Sequence, residues 1–241
     1  MTESEVFERD VDQHGGYVYL NNNRLSSRLA TDRQFELALG LAHLNGRKVL
    51  DVGCGDGTFS VRYWDLGRPS RFVGVDPGKK AVAMANSRKG NRPMEFVVGT
   101  GERLPYPDQD FDVAILHSVL HHASSPADVI REALRVAPEI VVMEPNGYSP
   151  ILKVIEKASS YHRAHHERSY TSRTLDGWVG DAGGEVLERR FGILVPMFCP
   201  NWLARTLKRL EPFVEALPVV RRLACAVYVF RARSVSSPLV P

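Results

Sequence analysis

The chain has 241 residues, of which 44% are hydrophobic and 24% charged, which is ordinary for a folded globular protein. Its net charge is only +3 and the basic residues are spread along the chain, so the composition does not indicate nucleic-acid binding. No apolar run reaches the roughly 18 residues that span a membrane, and three widely separated cysteines argue against a disulfide framework. The polar, acidic start also lacks a signal-peptide pattern. We therefore expect a cytoplasmic protein with at most a weak contact to anionic surfaces, and its oligomeric state stays open.

Residues 1–45 predict a loop followed by a helix. The segment "TDRQFELALGLAHLNG" has helical spacing of its apolar positions, and Thr31 or Asp32 is expected to cap it. We interpret the region as a lid over a ligand, with an ordered N-terminal loop as the alternative. The residues that would take part in such a lid are Tyr17, Tyr19 and Arg24.

After this helix, strands and helices alternate along the chain. The first apolar run contains Asp51 and the second ends in Asp76. Both predict buried parallel strands, and the helix between them ends at Gly67. The pattern continues through three further strands, with helices that stop at Gly90 and start at Pro126. Strands joined in this way by helices predict a doubly wound parallel sheet.

The pattern changes after Pro145. A capped helix ending in Gly183 and Gly184 precedes two strands, which we expect to pair antiparallel at the sheet edge. Between them, residues 199–223 predict a helical insertion interrupted by proline. The prediction is a single α/β domain over residues 1–241, with a Rossmann-like, seven-stranded doubly wound sheet that is mostly parallel with an antiparallel edge strand, and helices on both faces.

The strongest functional signal is the loop "GCGDG" after the first strand. Gly53, Gly55 and Gly57 allow the backbone to approach a ligand at the carboxyl edge of a parallel sheet. Asp76, about 25 residues after Asp51, stands where a carboxylate accepts hydrogen bonds from ribose hydroxyls. The loop and the acid together predict a ligand that contains adenosine.

Two residues of this loop argue against a dinucleotide. The dinucleotide fingerprint has its third glycine where this chain has Thr58, and the carboxylate of Asp56 would repel a pyrophosphate. A ligand with adenosine, no phosphate and a cationic sulfonium or ammonium group therefore fits better than NAD. An NAD-linked oxidoreductase is kept as the alternative enzyme.

Four segments in order resemble the class I S-adenosylmethionine-dependent methyltransferases, in the group similar to the ubiquinone and menaquinone methyltransferases. They are "VLDVGCGDGTFS", "FVGVDP", "GERLPYPDQDFDVAILHSVLHHASSPADVIREALRV" and "VVMEPNG". The resemblance implies S-adenosylmethionine as the cofactor and methyl transfer to a small-molecule acceptor. A non-catalytic S-adenosylmethionine-binding subunit that regulates a partner is the alternative from a different class.

The resemblance also implies contacts with three parts of the cofactor. The glycine loop would surround the methionine part, Asp76 would bind the ribose, and Pro77 would lie beside the adenine. Thr100 stands where the family usually has an Asp that contacts the adenine amino group, so the Thr100 hydroxyl or a neighbouring group would replace that contact. The predicted cofactor-binding residues are Tyr17, Arg24, Asp51, Gly53, Cys54, Gly55, Asp76, Pro77, Thr100, Gly101, Glu102 and His117.

Histidines are the candidate bases, because an imidazole can take a proton near neutral pH if the acceptor arrives protonated. His121 and His122 lie on the turn after the fourth strand, and packing within that loop is the alternative. A second cluster follows in the tail: His162, His165, His166 and Glu167. Because the cluster lacks an H-E-x-x-H pattern, we predict no metal site there. The catalytic candidates are His121, His122 and, through contact with the acceptor, His166; a solvated surface is the alternative for the tail cluster.

The helical insertion has an amphipathic pattern. Its apolar and basic residues are predicted to lie on different sides of the helix. The apolar set is Trp202, Leu203, Leu207 and Leu210, and the basic set is Arg205, Lys208 and Arg209. Core packing is the favoured explanation, and a lid over an apolar acceptor or contact with an anionic membrane are the alternatives. The segments "EPNGYSP" and "SYTSRTLDGWVGDAGG", with the His-rich stretch between them, loosely resemble methyltransferases of polysaccharide, glycolipid and natural-product pathways. We therefore expect O-methylation of a partly hydrophobic natural product, glycolipid or saccharide-type metabolite.

Overall fold

The structure is a computed structural model that describes residues 24–158 and 168–235. Within these ranges the strands form one seven-stranded sheet. The strands are β1 (Lys48–Val52), β2 (Arg71–Asp76), β3 (Met94–Val98), β4 (Val113–His117), β5 (Glu139–Pro145), β6 (Gly184–Gly192) and β7 (Val227–Ser234). Their order across the sheet is β3-β2-β1-β4-β5-β7-β6.

Helices lie on both faces of this sheet. The α-helices of the described residues are α1 (Leu25–Ala42), α2 (Thr58–Gly67), α3 (Lys79–Arg88), α4 (Pro126–Val136), α5 (Pro150–Ala158), α6 (Ser172–Asp181), α7 (Asn201–Ala216) and α8 (Pro218–Ala224). A short 3-10 helix spans Leu120–His122. None of the helices in the described ranges is both long enough and apolar enough to cross a lipid bilayer.

Among the described residues, one hydrophobic cluster packs against each face of the sheet. Neighbouring residues of β1 show the division, because Val49 belongs to the cluster under α1 and α2, whereas Leu50 belongs to the cluster under α4 and α6. Successive side chains of a strand point to opposite faces. A strand covered on both sides must therefore be apolar along its whole length, which explains the continuous apolar runs in the sequence. The predicted Rossmann-like fold is confirmed.

The antiparallel part of the sheet places the helical insertion beside the candidate site. Strand β7 runs antiparallel to both β5 and β6, so β6 is parallel to β5 and forms the edge. Val227, at the start of β7, pairs with both Pro145 and Gly192, which end β5 and β6. Helices α7 and α8, which connect β6 to β7, therefore leave the sheet at its carboxyl edge, where the glycine loop also lies.

The predicted start of the first helix was wrong. Helix α1 begins at Leu25, so Thr31 and Asp32 lie inside it and do not cap it. The additional turns bury Ser26 and Ala30, and the Ser26 hydroxyl donates a hydrogen bond of 2.8 Å to the carbonyl of Met197, 171 residues away. Contact with the segment before α7 thus extends the helix beyond what its local sequence predicts.

Core packing does not explain Trp202 and Leu210 of α7, whereas Leu203 and Leu207 are half-buried. Trp202 is 68% exposed and Leu210 is 48% exposed, whereas Ala204 and Glu211 are buried. The helix turns a partly charged side inward because Arg33 of α1 forms ion pairs with Glu211 and the nearby Glu215. Trp202, Leu210 and Phe213 of α7 therefore face solvent, while Val214 packs against the core.

Candidate functional site

The glycine loop after β1 has a backbone that favours glycine at three positions. Gly53, Gly55 and Gly57 have φ angles of 74°, 54° and 77°, in the left-handed region. The amides of Gly53 and Cys54 donate hydrogen bonds of 2.7 and 3.1 Å to the carbonyl of Val75 in β2. The loop is therefore fixed against the end of β2 and begins α2 directly after Gly57.

Alanine substitutions at Gly53 and Gly46 can be compared to distinguish the cost of backbone strain from the cost of steric crowding. Gly46 has nearly the same φ angle, 72°, with no atom within 4 Å of an added Cβ, whereas a Cβ on Gly53 would stand 2.5 Å from Cγ2 of Val119. We expect Gly46→Ala to lower the free energy of unfolding by about 1–2 kcal/mol, from the backbone alone.

Gly53→Ala is expected to cost about 1–3 kcal/mol more than Gly46→Ala, because Val119 must move. Urea unfolding of both variants measures the difference, and only Gly53→Ala should also weaken cofactor binding. Equal losses of stability in the two variants would contradict the crowding at Gly53.

Asp76 is held as a hydrogen-bond acceptor at the end of β2. Its Oδ2 accepts the amide of Gly55 at 2.9 Å, and its Oδ1 accepts the amide of Gly78 at 2.8 Å. Burial raises the pKa of Asp76, and these two amides oppose that shift. Because each carboxylate oxygen has two lone pairs, Asp76 retains capacity for two further donors, as a ribose diol would supply.

Asp51 adds a second buried carboxyl beside Asp76. The hydroxyl of Ser60 donates a hydrogen bond of 2.6 Å to Oδ2 of Asp51. Burial raises the pKa of Asp51 from its ordinary value of 3.8 to about 7, and the negative charge of Asp76 contributes to this shift. Two neighbouring carboxyls favour a cation and disfavour a pyrophosphate at this loop, which agrees with a sulfonium ligand.

The raised pKa of Asp51 makes the stability of the protein without ligand depend on pH. Between about pH 4 and 7, folded Asp51 keeps a proton that the unfolded chain releases, so this residue's stabilising contribution falls as the pH rises. We expect the unfolding free energy of the wild type to fall by up to about 1.4 kcal/mol per pH unit more steeply than that of Asp51→Asn. Urea unfolding across this range measures the slopes. Asp65→Asn, which removes an exposed carboxylate, should keep the wild-type slope, and identical slopes for Asp51→Asn and the wild type would refute the prediction.

Asp56 does not provide the repulsion that the sequence predicted. Its Oδ1 accepts the amide of Thr58 at 3.0 Å, and its Oδ2 lies 2.7 Å from the guanidinium of Arg88. The charge of Asp56 is therefore compensated by Arg88 below the loop. The structural argument against a pyrophosphate rests on Asp51 and Asp76 instead.

The residues predicted to contact adenine lie at the same sheet edge. Asp76 pairs with Val98 across β2 and β3, and the amide of Gly99 donates a hydrogen bond of 3.1 Å to the backbone carbonyl of Asp76. Pro77 and Thr100, which follow these two strand ends, are exposed. The structure thus brings Pro77 and the segment from Thr100 to Glu102 close to the ribose-binding candidate, and their contacts with adenine stay a prediction.

His117 lies at the end of β4 in a network that keeps it neutral. Its Nδ1 lies 2.7 Å from the hydroxyl of Tyr63, and its Nε2 lies 2.9 Å from Oε1 of Gln34. Because the amide oxygen of Gln34 can only accept, Nε2 carries the proton and Nδ1 accepts from Tyr63. Burial lowers the pKa of His117 to about 3. His117 is therefore held as a neutral imidazole that links α1 and α2 to β4.

The thiol of Cys54 is buried and donates a hydrogen bond of 3.8 Å to the carbonyl of Gly55. The Cys54 side chain belongs to the hydrophobic cluster under α1 and α2, and burial raises the pKa of the thiol well above the ordinary value. A neutral, buried thiol of this kind has no nucleophilic role.

The turn after β4 contains a histidine and glutamate pair. Glu144, fully buried at the end of β5, accepts the amides of Val119 and Leu120 at 2.9 and 2.8 Å through Oε1. Its Oε2 lies 2.7 Å from Nδ1 of His121. The carboxylate therefore holds the His121 proton on Nδ1 and leaves a lone pair on Nε2. The ring of His122 lies 3.9 Å from that of His121, centre to centre.

Sequence reasoning missed Glu144. The available signal was an acidic residue at the end of the apolar run "EIVVMEP", because a carboxylate in a fully covered strand must find hydrogen-bond donors. The identity of those donors depends on β4 and β5 being neighbours, which local sequence does not state.

Several predicted residues fall outside the part of the chain that the structure describes. They are Tyr17, Tyr19, His162, His165, His166 and Glu167. Arg24 is described and precedes α1, where its Nη1 lies 3.5 Å from the carbonyl of Phe198. Among residues 24–158 and 168–235, no group of three His, Cys, Asp or Glu side chains is arranged to hold a metal ion.

Part of this chain is similar in sequence to a known protein family. The methyltransferase-domain family matches residues 50–139. A fatty-acid O-methyltransferase of Mycolicibacterium smegmatis is 32% identical over 108 residues, which cover 44% of this chain and 37% of that protein. The chain spans little more than a third of the length of the first curated relatives that it matches.

Solved structures share the whole fold. An S-adenosylmethionine-dependent methyltransferase of Thermotoga maritima superposes with a TM-score of 0.69 at 18% identity, over 96% of this chain and 99% of that one. The [4+2]-cyclase SpnF superposes with a TM-score of 0.67 at 24% identity, over 97% of both chains. Residues 50–139, which include the glycine loop and its two carboxyls, are thus similar to the methyltransferase-domain family, and the chain has the fold of solved S-adenosylmethionine-dependent methyltransferases.

Proposed function

We propose that this protein transfers the methyl group of S-adenosylmethionine to an oxygen of a small, partly hydrophobic acceptor. The observation that carries the proposal is the fixed carboxylate of Asp76 beside Asp51 and the glycine loop. S-adenosylmethionine has a ribose diol for Asp76, a positive sulfonium that two carboxyls favour, and no pyrophosphate. The residues of this edge therefore fit the family's cofactor.

When bound, the cofactor supplies a methyl group that its positive sulfur already activates. The chain then has to bind, orient and exclude water. Asp51 and the glycine loop would hold the methionine part, with Pro77 and the loop from Thr100 to Glu102 near the adenine. Holding an acceptor in line with the methyl group supplies much of the rate enhancement in such reactions.

His121 is our proposed base for an acceptor that arrives as a hydroxyl. With its proton held on Nδ1 by Glu144, His121 would use Nε2 to accept the hydroxyl proton. The imidazolium that results is stabilised by the same carboxylate. His122 is the second candidate on this turn, and His166 is the candidate from the tail.

Two further observations support this acceptor class. The relative from Mycolicibacterium smegmatis is named for fatty-acid O-methylation. Helix α7, which has exposed apolar side chains, follows β6 where that strand ends at the carboxyl edge. A fatty acid, a glycolipid, a natural product or a saccharide-type metabolite with an apolar part would fit. We also propose a cytoplasmic location, and residues 1–45 and 199–223 as the segments that cover the cofactor and acceptor.

Methyl-labelled S-adenosylmethionine, incubated with the full chain and extract of the source cells, tests this function. We expect label to enter the organic phase with the wild type and not with Asp76→Asn. Label confined to the aqueous phase would contradict an apolar acceptor, and no transfer despite cofactor binding would favour a non-catalytic subunit. A melting temperature raised by NAD but not by S-adenosylmethionine would favour the oxidoreductase. Transfer must be measured because proteins of this fold include the [4+2]-cyclase SpnF.

A further inference from the structure

Helices α7 and α8 turn large apolar side chains toward solvent. Trp202 and Phe213 are 68% and 71% exposed. At about 100° per residue, Trp202, Arg209 and Phe213 lie along one stripe of α7, and buried Glu211 lies on the opposite side. The other exposed apolar residues of this surface are Leu210, Leu217, Val219, Val220 and Leu223. We refer to the exposed surface formed by Trp202 through Leu223 as the α7–α8 face.

Ion pairs fix the orientation of this face. Arg33 of α1 bonds Glu215 and lies 3.6 Å from Glu211, which is 2.6 Å from Lys208. Glu215 also accepts the amide of Ile193, at the end of β6. These contacts on the inner side of α7 keep the stripe of Trp202, Arg209 and Phe213 pointing outward. The exposure of these side chains therefore results from specific contacts within the fold.

The exposed charges of the α7–α8 face have one sign. Arg205, Arg209 and Arg222 are exposed, whereas the two acids of the segment, Glu211 and Glu215, face inward. Within the described part of the chain, neither Arg205 nor Arg209 has an ion-pair partner. The face thus combines aromatic and aliphatic side chains with uncompensated positive charge.

A groove between α1 and α7 carries the same combination. Its lining residues are Leu25, Leu29, Arg205, Lys208 and Arg209. Apolar walls beside basic groups match an amphiphile with an anionic head. A second copy of this chain is a poorer match, because it would bring arginines of the same sign together.

We propose that the α7–α8 face docks the protein on a membrane surface that contains anionic lipids. Arginines that contact lipid phosphates and a tryptophan and phenylalanine at the acyl boundary are the elements of interfacial helix binding. Because α7 and α8 leave the carboxyl edge of the sheet, docking would bring the candidate site to the membrane surface. The proposal does not depend on methyl transfer.

Cosedimentation with vesicles tests the docking surface. We expect the wild type to bind vesicles of phosphatidylcholine and phosphatidylglycerol, and to bind much more weakly to phosphatidylcholine alone or at high salt. Trp202→Ser/Phe213→Ser and Arg205→Gln/Arg209→Gln should each weaken binding by about tenfold or more. All four positions are exposed, and melting temperatures verify the fold.

The matched controls lie near the amino ends of the parallel strands, away from the carboxyl edge. Leu66→Ser replaces a leucine that is 54% exposed at the end of α2, and Lys48→Gln removes an exposed cation at the start of β1. Both should bind vesicles like the wild type. Absence of vesicle binding, an equal loss in the controls, or a dimer that Phe213→Ser dissociates without any vesicle binding would overturn the proposal. The assay contains no cofactor and no turnover, so its outcome is separate from that of methyl transfer.

Discussion

Asp76→Asn is expected to weaken the binding of S-adenosylmethionine about 100-fold. The carboxylate accepts the amides of Gly55 and Gly78, one on each oxygen. An asparagine amide would place a donor against one of these two donors and would remove the charge that strengthens hydrogen bonds to ribose hydroxyls. Hydrogen bonds to a charged group contribute about 1.5–3 kcal/mol each, and about 1.4 kcal/mol corresponds to a factor of ten.

Titration calorimetry of the purified full chain measures this affinity directly. Asp65→Asn is the matched control, because it removes a half-exposed carboxylate that pairs with Arg92 on the surface. Circular dichroism and the melting temperature without ligand show whether Asp76→Asn is folded. Unchanged affinity in a folded Asp76→Asn protein would remove the cofactor site from this edge and, with it, the proposed function.

Glu144→Gln is expected to slow methyl transfer about 100-fold while cofactor affinity stays within a factor of two. The glutamine oxygen can continue to accept the amides of Val119 and Leu120, but its NH2 group then faces Nδ1 of His121. The imidazole proton would move to Nε2, and the lone pair needed by a base would be lost. General base catalysis commonly contributes a factor of about 10²–10⁴.

The control for this variant lies in the same strand. Glu139→Gln changes the glutamate at the opposite end of β5, which pairs with Arg47 and Arg231, and should leave transfer unchanged. Label transfer at saturating S-adenosylmethionine, followed across neutral pH, separates a tautomer effect from a loss of structure. A folded Glu144→Gln protein with the full rate and pH profile would exclude Glu144 as the positioning residue for His121.

Local sequence was sufficient where structure depends on neighbours in the chain. Helix α2 spans Thr58–Gly67, the bounds predicted from its spacing and its final glycine. Helix α6 starts where the sequence places a cap, with the Thr171 hydroxyl accepting the amide of Thr174. Caps and left-handed turns involve residues only a few positions apart, so they can be recognised from the sequence alone.

Distant contacts decided the features that sequence missed. Helix α1 begins at Leu25 because Ser26 bonds Met197. Helix α7 exposes Trp202 and Phe213 because Arg33, on its inner side, bonds Glu215, 182 residues away. Glu144 finds His121 only because β4 and β5 are neighbours in the sheet. Each case buries a polar group, which is tolerated only beside a partner that folding supplies.

By itself, the sequence determined the alternation of strands and helices and the glycine loop with its following acid. Continuous apolar runs demand a sheet covered on both faces, and Gly53, Gly55 and Gly57 adopt backbone angles that other residues resist. The tertiary structure decided which acids and histidines meet: Asp51 with Asp76, His121 with Glu144, and His117 with Tyr63 and Gln34. Their protonation depends on how deeply they are buried and on which groups the fold places within hydrogen-bonding distance. Both are set only when the strands pair in the folded protein.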